Sequence, residues 1–226
     1  MARPDPLTHT LVALTFVTGV VDAVAFLGLG QVFAAMQTGN AIFLGFGIAG
    51  ATDASVAAPL IGLAAFLAGG LAAALVIRSR LPERQLGLRA AMVAEVALLG
   101  AATAVAAAVE VTPDEGAAYV LLALLSFAMG LRGSMARGLG GANLATTVLN
   151  LTLTGASGQA PTGLASGRDL AQRAVAIAAI LTGAIAGALL LRTSVALPIA
   201  VATAVTLATT LVSFRARPRR EPAVAR

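Results

Sequence analysis

The sequence predicts an all-α protein: a polytopic transmembrane helical bundle of six full spans plus two short, broken or re-entrant segments. Three observations carry this expectation. Apolar residues make up 58% of the 226 residues and charged residues only 11%, with a mean hydropathy of +0.92, and the apolar runs recur along the whole chain instead of supplying one core. Apart from Arg132, basic residues lie at the N-terminus, in or at the edges of the gaps between runs, and in the C-terminal tail, as for loops at an inner leaflet. The first run, from Leu11 to Gly30, is uncharged except for Asp22, and Thr38-Gly39-Asn40 follows shortly after it.

A full crossing needs about 20 mostly apolar residues. The first such stretch, about 7–30, follows Met1-Ala2-Arg3-Pro4-Asp5-Pro6. No small-residue cleavage site follows it, so it reads as a retained helix and not a signal peptide. Further full spans are expected at about 55–77, 90–110, 117–136, 172–191 and 194–214. Segments 38–51 and 143–156 are shorter and interrupted by Thr, Asn and Gly. Irregular backbone at membrane depth survives only inside protein or beside a wet cavity, so these two are the candidates for partial crossings.

Charge sets the orientation. The Arg78-Ser79-Arg80-Leu81-Pro82-Glu83-Arg84 loop, extended by Arg89, is expected in the cytoplasm, and Thr112-Pro113-Asp114-Glu115 outside. With six crossings both termini are cytoplasmic, together with Arg137, Arg168, Arg173 and the tail Arg215-Ala216-Arg217-Pro218-Arg219-Arg220, and only Arg192 falls on the wrong side. Eight crossings would force the Arg-rich tail outside. The halves also resemble each other at a separation of 111 to 114 residues: Thr15-Phe16-x-x-Gly19 with Ser126-Phe127-x-x-Gly130, Thr38-Gly39-Asn40 with Asn150-Leu151-Thr152, and Gly69 through Arg78 with Gly183 through Arg192. The expected organisation is a first membrane repeat over 1–112, a second, inverted repeat over 113–214, and an Arg-rich tail over 215–226. Such repeats place binding sites near the midplane at discontinuous helices.

Several function classes are excluded or disfavoured. There is no Cys, and His9 at the N-terminal edge is the only His, so disulfides, thiolate metal sites, a His metal cluster and a Ser-His triad have no residues to build them. No Walker motif is present, which argues against ATP energisation within the chain. No metal or other cofactor and no nucleic-acid partner is expected, and an intramembrane enzyme would have only Asp, Glu, Ser and Thr for chemistry. All 15 basic residues are Arg, a bias that composition explains without a mechanism.

A carboxylate at membrane depth costs roughly 2.5–3.5 kcal/mol on insertion scales, so Asp22 is read as a group facing a polar cavity, with an interhelical hydrogen bond as the bland alternative. Thr38, Gly39 and Asn40 suit the start of a half-helix, Gly39 turning the chain, Thr38 capping and the Asn40 amide meeting a solute; an interfacial N-cap uses the same residue types. Arg132 is either a counter-charge to Asp22 or a side chain snorkelling toward the cytoplasmic interface. Asn143, Thr146, Thr147 and Asn150 fall on one helical face, a polar stripe that lines a cavity or joins helices. Glu95 is a lesser candidate that could reach headgroup level. Ala65-x-x-x-Gly69 and Gly183-x-x-x-Gly187 are small-residue patterns for close helix approach.

Gly19-Val20-Val21-Asp22-Ala23, Thr38-Gly39-Asn40, Ala128-Met129-Gly130-Leu131 and Thr146-Thr147 together resemble the YoaK-type family of small bacterial membrane proteins of unknown function, over essentially the whole chain. The resemblance implies a multi-pass bacterial inner-membrane protein with no established substrate. The second half departs from the family pattern: Leu131-Arg132-Gly133-Ser134 stands where an amide-bearing stretch follows Met-Gly, and Asn150-Leu151 where a Thr-Gly pair is usual. The leading functional expectation is a small-solute transporter or permease with its site around Asp22 and Thr38-Gly39-Asn40. The alternative is a membrane accessory or sensor protein that binds a lipid or protein partner and transports nothing. Membrane lipid, an unknown small solute and a further copy of the chain are the expected partners.

Overall fold

The computed structural model describes residues 6–51, 55–79, 84–138 and 167–215. The 143–156 segment, with Asn143, Thr146, Thr147 and Asn150, and the tail beyond Arg215 lie outside the described residues. The described chain is helical throughout: α1 (Pro6–Val24), continued by a π-helical turn (Ala25–Gly30), a short α2 (Gln37–Ile48), α3 (Ala57–Ser79), α4 (Arg84–Ala108), α5 (Gly116–Gly138), α6 (Gly167–Leu191) and α7 (Ala196–Arg215). Six helices are long and apolar enough to cross a membrane, and they fall on the six long runs of the sequence.

Ala, Leu and Val fill these helices, and the prolines of α3 and α7, Pro59 and Pro198, sit in the first turn, where the missing N–H has no partner to lose. Ser55 and Ser194 cap the same two helices by accepting from the Ala58 and Leu197 amides at 3.3 and 3.2 Å. Buried threonines return their hydroxyls to the preceding turn: Thr15 to Leu11, Thr18 to Leu14, Thr206 to Ala202 and Thr210 to Thr206, each within 3.0 Å. Leu67, Leu71 and Leu75 on α3 and Leu181, Ile185 and Leu189 on α6 are exposed. Apolar outer faces of this kind are what lipid solvates.

Contacts between helix ends fix the directions. At one end, a Cβ on Gly30 would lie 2.7 Å from Asp114 Oδ1 and 3.4 Å from the Ala58 side chain, and Ser55 lies 3.4 Å from the Tyr119 hydroxyl. At the other end, the Arg89 guanidinium stacks 5.3 Å above the Phe214 ring. The start of α1 and the end of α7 therefore share the end opposite Asp114. The segment between Gly30 and Ala58 leaves and returns at the same end, so α2 does not cross. Its 12 residues span about 18 Å against a hydrocarbon core of about 30 Å.

Two helix pairs approach to backbone contact. In α1 against α6, a Cβ on Gly183 would collide with the Phe16 carbonyl oxygen, and one on Gly19 with that of Ile180. In α5 against α3, a Cβ on Gly69 would collide with the Phe127 carbonyl oxygen, and one on Gly130 with that of Phe66. Only glycine permits these approaches, which is the packing use of small residues in membrane helices. Val17, Val21, Leu99, Leu122, Leu125, Ala128 and Ile199 belong to the fully buried core between the pairs.

Candidate functional site

The first helix does not end by fraying. Its last turn widens into the π-helical turn, then Gly30 (φ 137°) and Gln31 (φ 56°) reverse the chain. Gly30 takes a backbone conformation that L side chains rarely adopt, and the approach of Asp114 leaves no room for a Cβ there. The chain then descends as a non-helical strap, residues 31–36. It reaches the level of Asp22, about 12 Å below Gly30 at the ~1.5 Å rise of a helix, because the Ala35 amide donates to Asp22 Oδ1 at 2.8 Å. From there α2 climbs back out.

An unwound strap at membrane depth must have its backbone groups satisfied internally, and Asn40 supplies most of that. Its Oδ1 accepts from the Phe33 amide at 2.8 Å, while Nδ2 donates to the Phe33 carbonyl at 2.6 Å and to Gln37 Oε1 at 2.9 Å. Gln37 Nε2 in turn donates to the Ala34 carbonyl at 2.8 Å. Asn40 is 0% exposed, and both amide hydrogens and the amide oxygen are engaged within the strap. Phe33 stacks on Phe26 at 5.0 Å and faces Phe43 at 6.1 Å.

These contacts correct the roles expected of two residues of Thr38-Gly39-Asn40. Thr38 is not a cap: α2 already starts at Gln37, Met36 precedes it without a side-chain capping bond, and Thr38 is exposed. Gly39 does not turn the chain, since it lies within α2; a Cβ there would stand 2.9 Å from the Phe33 ring, so glycine makes room for the aromatic stack. The reversal belongs to Gly30 and Gln31.

Asp22 is 6% exposed and lies in the field of the Ala34 and Ala35 amides. Only the Ala35 amide closes a hydrogen bond, to Oδ1; buried Oδ2 has no partner. Ser126 on α5 is likewise 0% exposed, and its hydroxyl oxygen has no partner. A point at the Cβ position of Gly62 lies 3.0 Å from Asn40 Nδ2, 3.6 Å from the Phe33 carbonyl oxygen and 3.7 Å from Ser126 Oγ. Asp22 is thus bonded to the strap at Ala35, and Ser126 Oγ lies across Gly62 from the Phe33 carbonyl and Asn40.

Arg132 is buried within the bundle, and its charge acts on Asp22 only through space. It neither snorkels nor bonds to Asp22; it pairs with Glu95, Nε donating to Oε1 at 2.7 Å and Nη2 closing the salt bridge to the same carboxylate. Nη1 donates to the Leu14 carbonyl at 2.9 Å and to Thr18 Oγ1 at 3.1 Å, and Nη2 reaches Thr206 Oγ1 at 3.4 Å. One guanidinium thus ties α5 to α4, α1 and α7. Glu95 is 1% exposed and is part of this buried cluster, not at headgroup level. The sequence shows Glu95 and Arg132 within long apolar runs, but not that they meet, since they are far apart in the chain. Ser126 carries no sequence signal beyond its alignment with Thr15.

A profile of the DUF1275 family, described as proteins of unknown function, matches residues 10–212. The chain belongs to this family. It is 33% identical over 146 residues to the UPF0700 transmembrane protein YoaK of Bacillus subtilis (strain 168), an alignment covering 64% of each chain. No solved structure matches. The DUF1275 match takes in all six long helices and the strap, and with the relative's description it makes this a multi-pass transmembrane protein of a family without assigned function.

Proposed function

We propose that this DUF1275 protein is a small-solute transporter or permease whose site lies along the strap between Asp22 and Asn40. The observation that carries the reading is the strap itself: backbone unwound at membrane depth, bordered by a buried carboxylate oxygen and a hydroxyl that bond to nothing. Discontinuous helices of this kind bind solutes and coupling ions in transporters built from inverted repeats. Reciprocal packing supports an inverted repeat here. Phe16, Gly19 and Gly183 in one close pair occupy the positions that Phe127, Gly130 and Gly69 occupy in the other, and α1 and α5 run in opposite directions. We assign the Asp114 end to the outside on the Arg distribution of the loops, and read the chain as non-enzymatic, surrounded by lipid, and free to form homo-oligomers.

The alternative, an accessory or sensor protein, draws support from Asn40, whose polar atoms are all spent on holding the strap. Flux separates the readings. Purified protein in liposomes, given a panel of small labelled solutes, is expected to move at least one, and Asp22→Asn is expected to reduce that movement at least tenfold while keeping the protein folded. In this Cys-free chain, a Cys at Ala35 is expected to react with a small polar thiol reagent and one at lipid-facing Leu67 is not. Protection at Ala35 together with no flux of any solute would sink the transporter reading in favour of the accessory protein.

A further inference from the structure

We propose that Asp22 Oδ2, Ser126 Oγ and carbonyl oxygens of the strap form a binding site for a monovalent metal cation; this deepens the transporter reading and rests on it for the role of the ion. Charge argues first. Away from the ends of the six spans, the described residues carry two carboxylates, Asp22 and Glu95, and one guanidinium, Arg132. Arg132 bonds directly to Glu95 and gives its remaining described bonds to Leu14, Thr18 and Thr206. Its charge reaches Asp22 only through space. With Glu95 and Arg132 bonded to each other, Asp22 is left without a bonded counter-charge, and a single positive charge is the complement still wanting. A divalent ion would overshoot it.

Ligand chemistry argues second and independently. Among the described residues, the two buried side-chain atoms without hydrogen bonds are both oxygens, one anionic and one neutral; Asp22 is bonded to the unwound backbone at Ala35, and Ser126 Oγ lies across Gly62 from the Phe33 carbonyl. Hard cations take oxygen ligands, and unwound backbone carbonyls are a recurrent source of them in membrane proteins. The Phe33, Ala34 and Ala35 carbonyls each accept one hydrogen bond, from Asn40, Gln37 Nε2 and the Gln37 amide, which leaves each a second lone pair. Asn40 contributes no ligand, but holds these carbonyls in place. Because Asp22 Oδ1 fastens the strap at Ala35 while Oδ2 faces the ion, binding and strap position are linked through one carboxylate.

The test is the apparent melting temperature of detergent-solubilised protein titrated with NaCl, KCl or LiCl against choline chloride at constant ionic strength, between pH 5.5 and 8. One of the metal ions is expected to raise Tm with the logarithm of its concentration above the dissociation constant, by roughly 5–10 °C at about 100 times that constant. Asp22→Asn is expected to abolish the rise. Ser126→Ala, a small change that leaves the carboxylate intact, is expected to move the onset of the rise to about tenfold higher concentration, and Thr38→Ala at an exposed position to leave it unchanged. A Tm that ignores all three ions, that responds to pH alone, or that responds equally in Asp22→Asn and Ser126→Ala overturns the site. Flux in liposomes keeps the two ideas separable: an ion response abolished in Asp22→Asn and weakened in Ser126→Ala supports the site even where no solute moves, whereas solute flux without an ion response overturns the site and leaves the transporter standing.

Discussion

Replacing Glu95 by Leu should strongly destabilise the protein, because it strands the Arg132 guanidinium among four helices. Removing one partner of a buried ion pair costs about 3–5 kcal/mol, since the surviving charge keeps its desolvation penalty and loses its counter-charge. Arg132 keeps its bonds to the Leu14 carbonyl and Thr18, which are present before and after the change and leave that difference as it stands. For a chain of 226 residues, each kcal/mol moves Tm by about 2–4 °C. The expected fall is therefore roughly 6–20 °C for Glu95→Leu, and comparable for Arg132→Leu. The double variant removes both charges and should recover most of the loss, leaving a coupling of about 2 kcal/mol or more in the double-mutant cycle. Scanning fluorimetry at one scan rate in one detergent measures all four proteins on the same footing. Single variants within about 2 °C of wild type, or losses that simply add in the double variant, would refute the claim that this pair is buried and mutually compensating.

Gly69→Ala and Gly183→Ala should each lower Tm measurably, by about 1–3 kcal/mol of overpacking, because the new methyl meets the Phe127 or Phe16 carbonyl oxygen; Gly45→Ala, where a Cβ meets nothing within 4 Å, is the control and should change little. Asn40→Ala should loosen the strap by removing three hydrogen bonds, seen as faster labelling of a Cys at Ala35, whereas Asn40→Asp, which keeps the acceptor, should keep the Phe33 amide bond and show a smaller effect. Unchanged labelling in Asn40→Ala would mean the strap holds without its pin. Reporter fusions at Asp114 and Arg226 should report opposite sides of the membrane, and the same side for both would contradict the helix directions drawn from the end contacts.

The six spans were legible in the sequence because membrane insertion is decided locally: about 20 apolar residues suffice whatever surrounds them, and the long runs are all occupied by helices. The same local logic marked 38–51 as too short to cross and Asp22 as a costly group needing a reason. Glycine patterns also pointed to close packing at Gly69 and Gly183, since a missing Cβ is a property of the residue itself. What Thr38, Gly39, Asn40 and Arg132 do was not legible, because each role depends on a partner brought from elsewhere. Asn40 completes the bonding of Phe33, Gly39 yields space to a ring six residues earlier, and Arg132 meets a carboxylate on another helix. Ser126 stood out only through its alignment with Thr15, since a lone serine in an apolar run commonly bonds to its own helix, and only the folded structure shows its buried hydroxyl without a partner. Hydrophobicity is read residue by residue, but hydrogen bonds and charge compensation are pairwise, and the pairs exist only once the chain has folded.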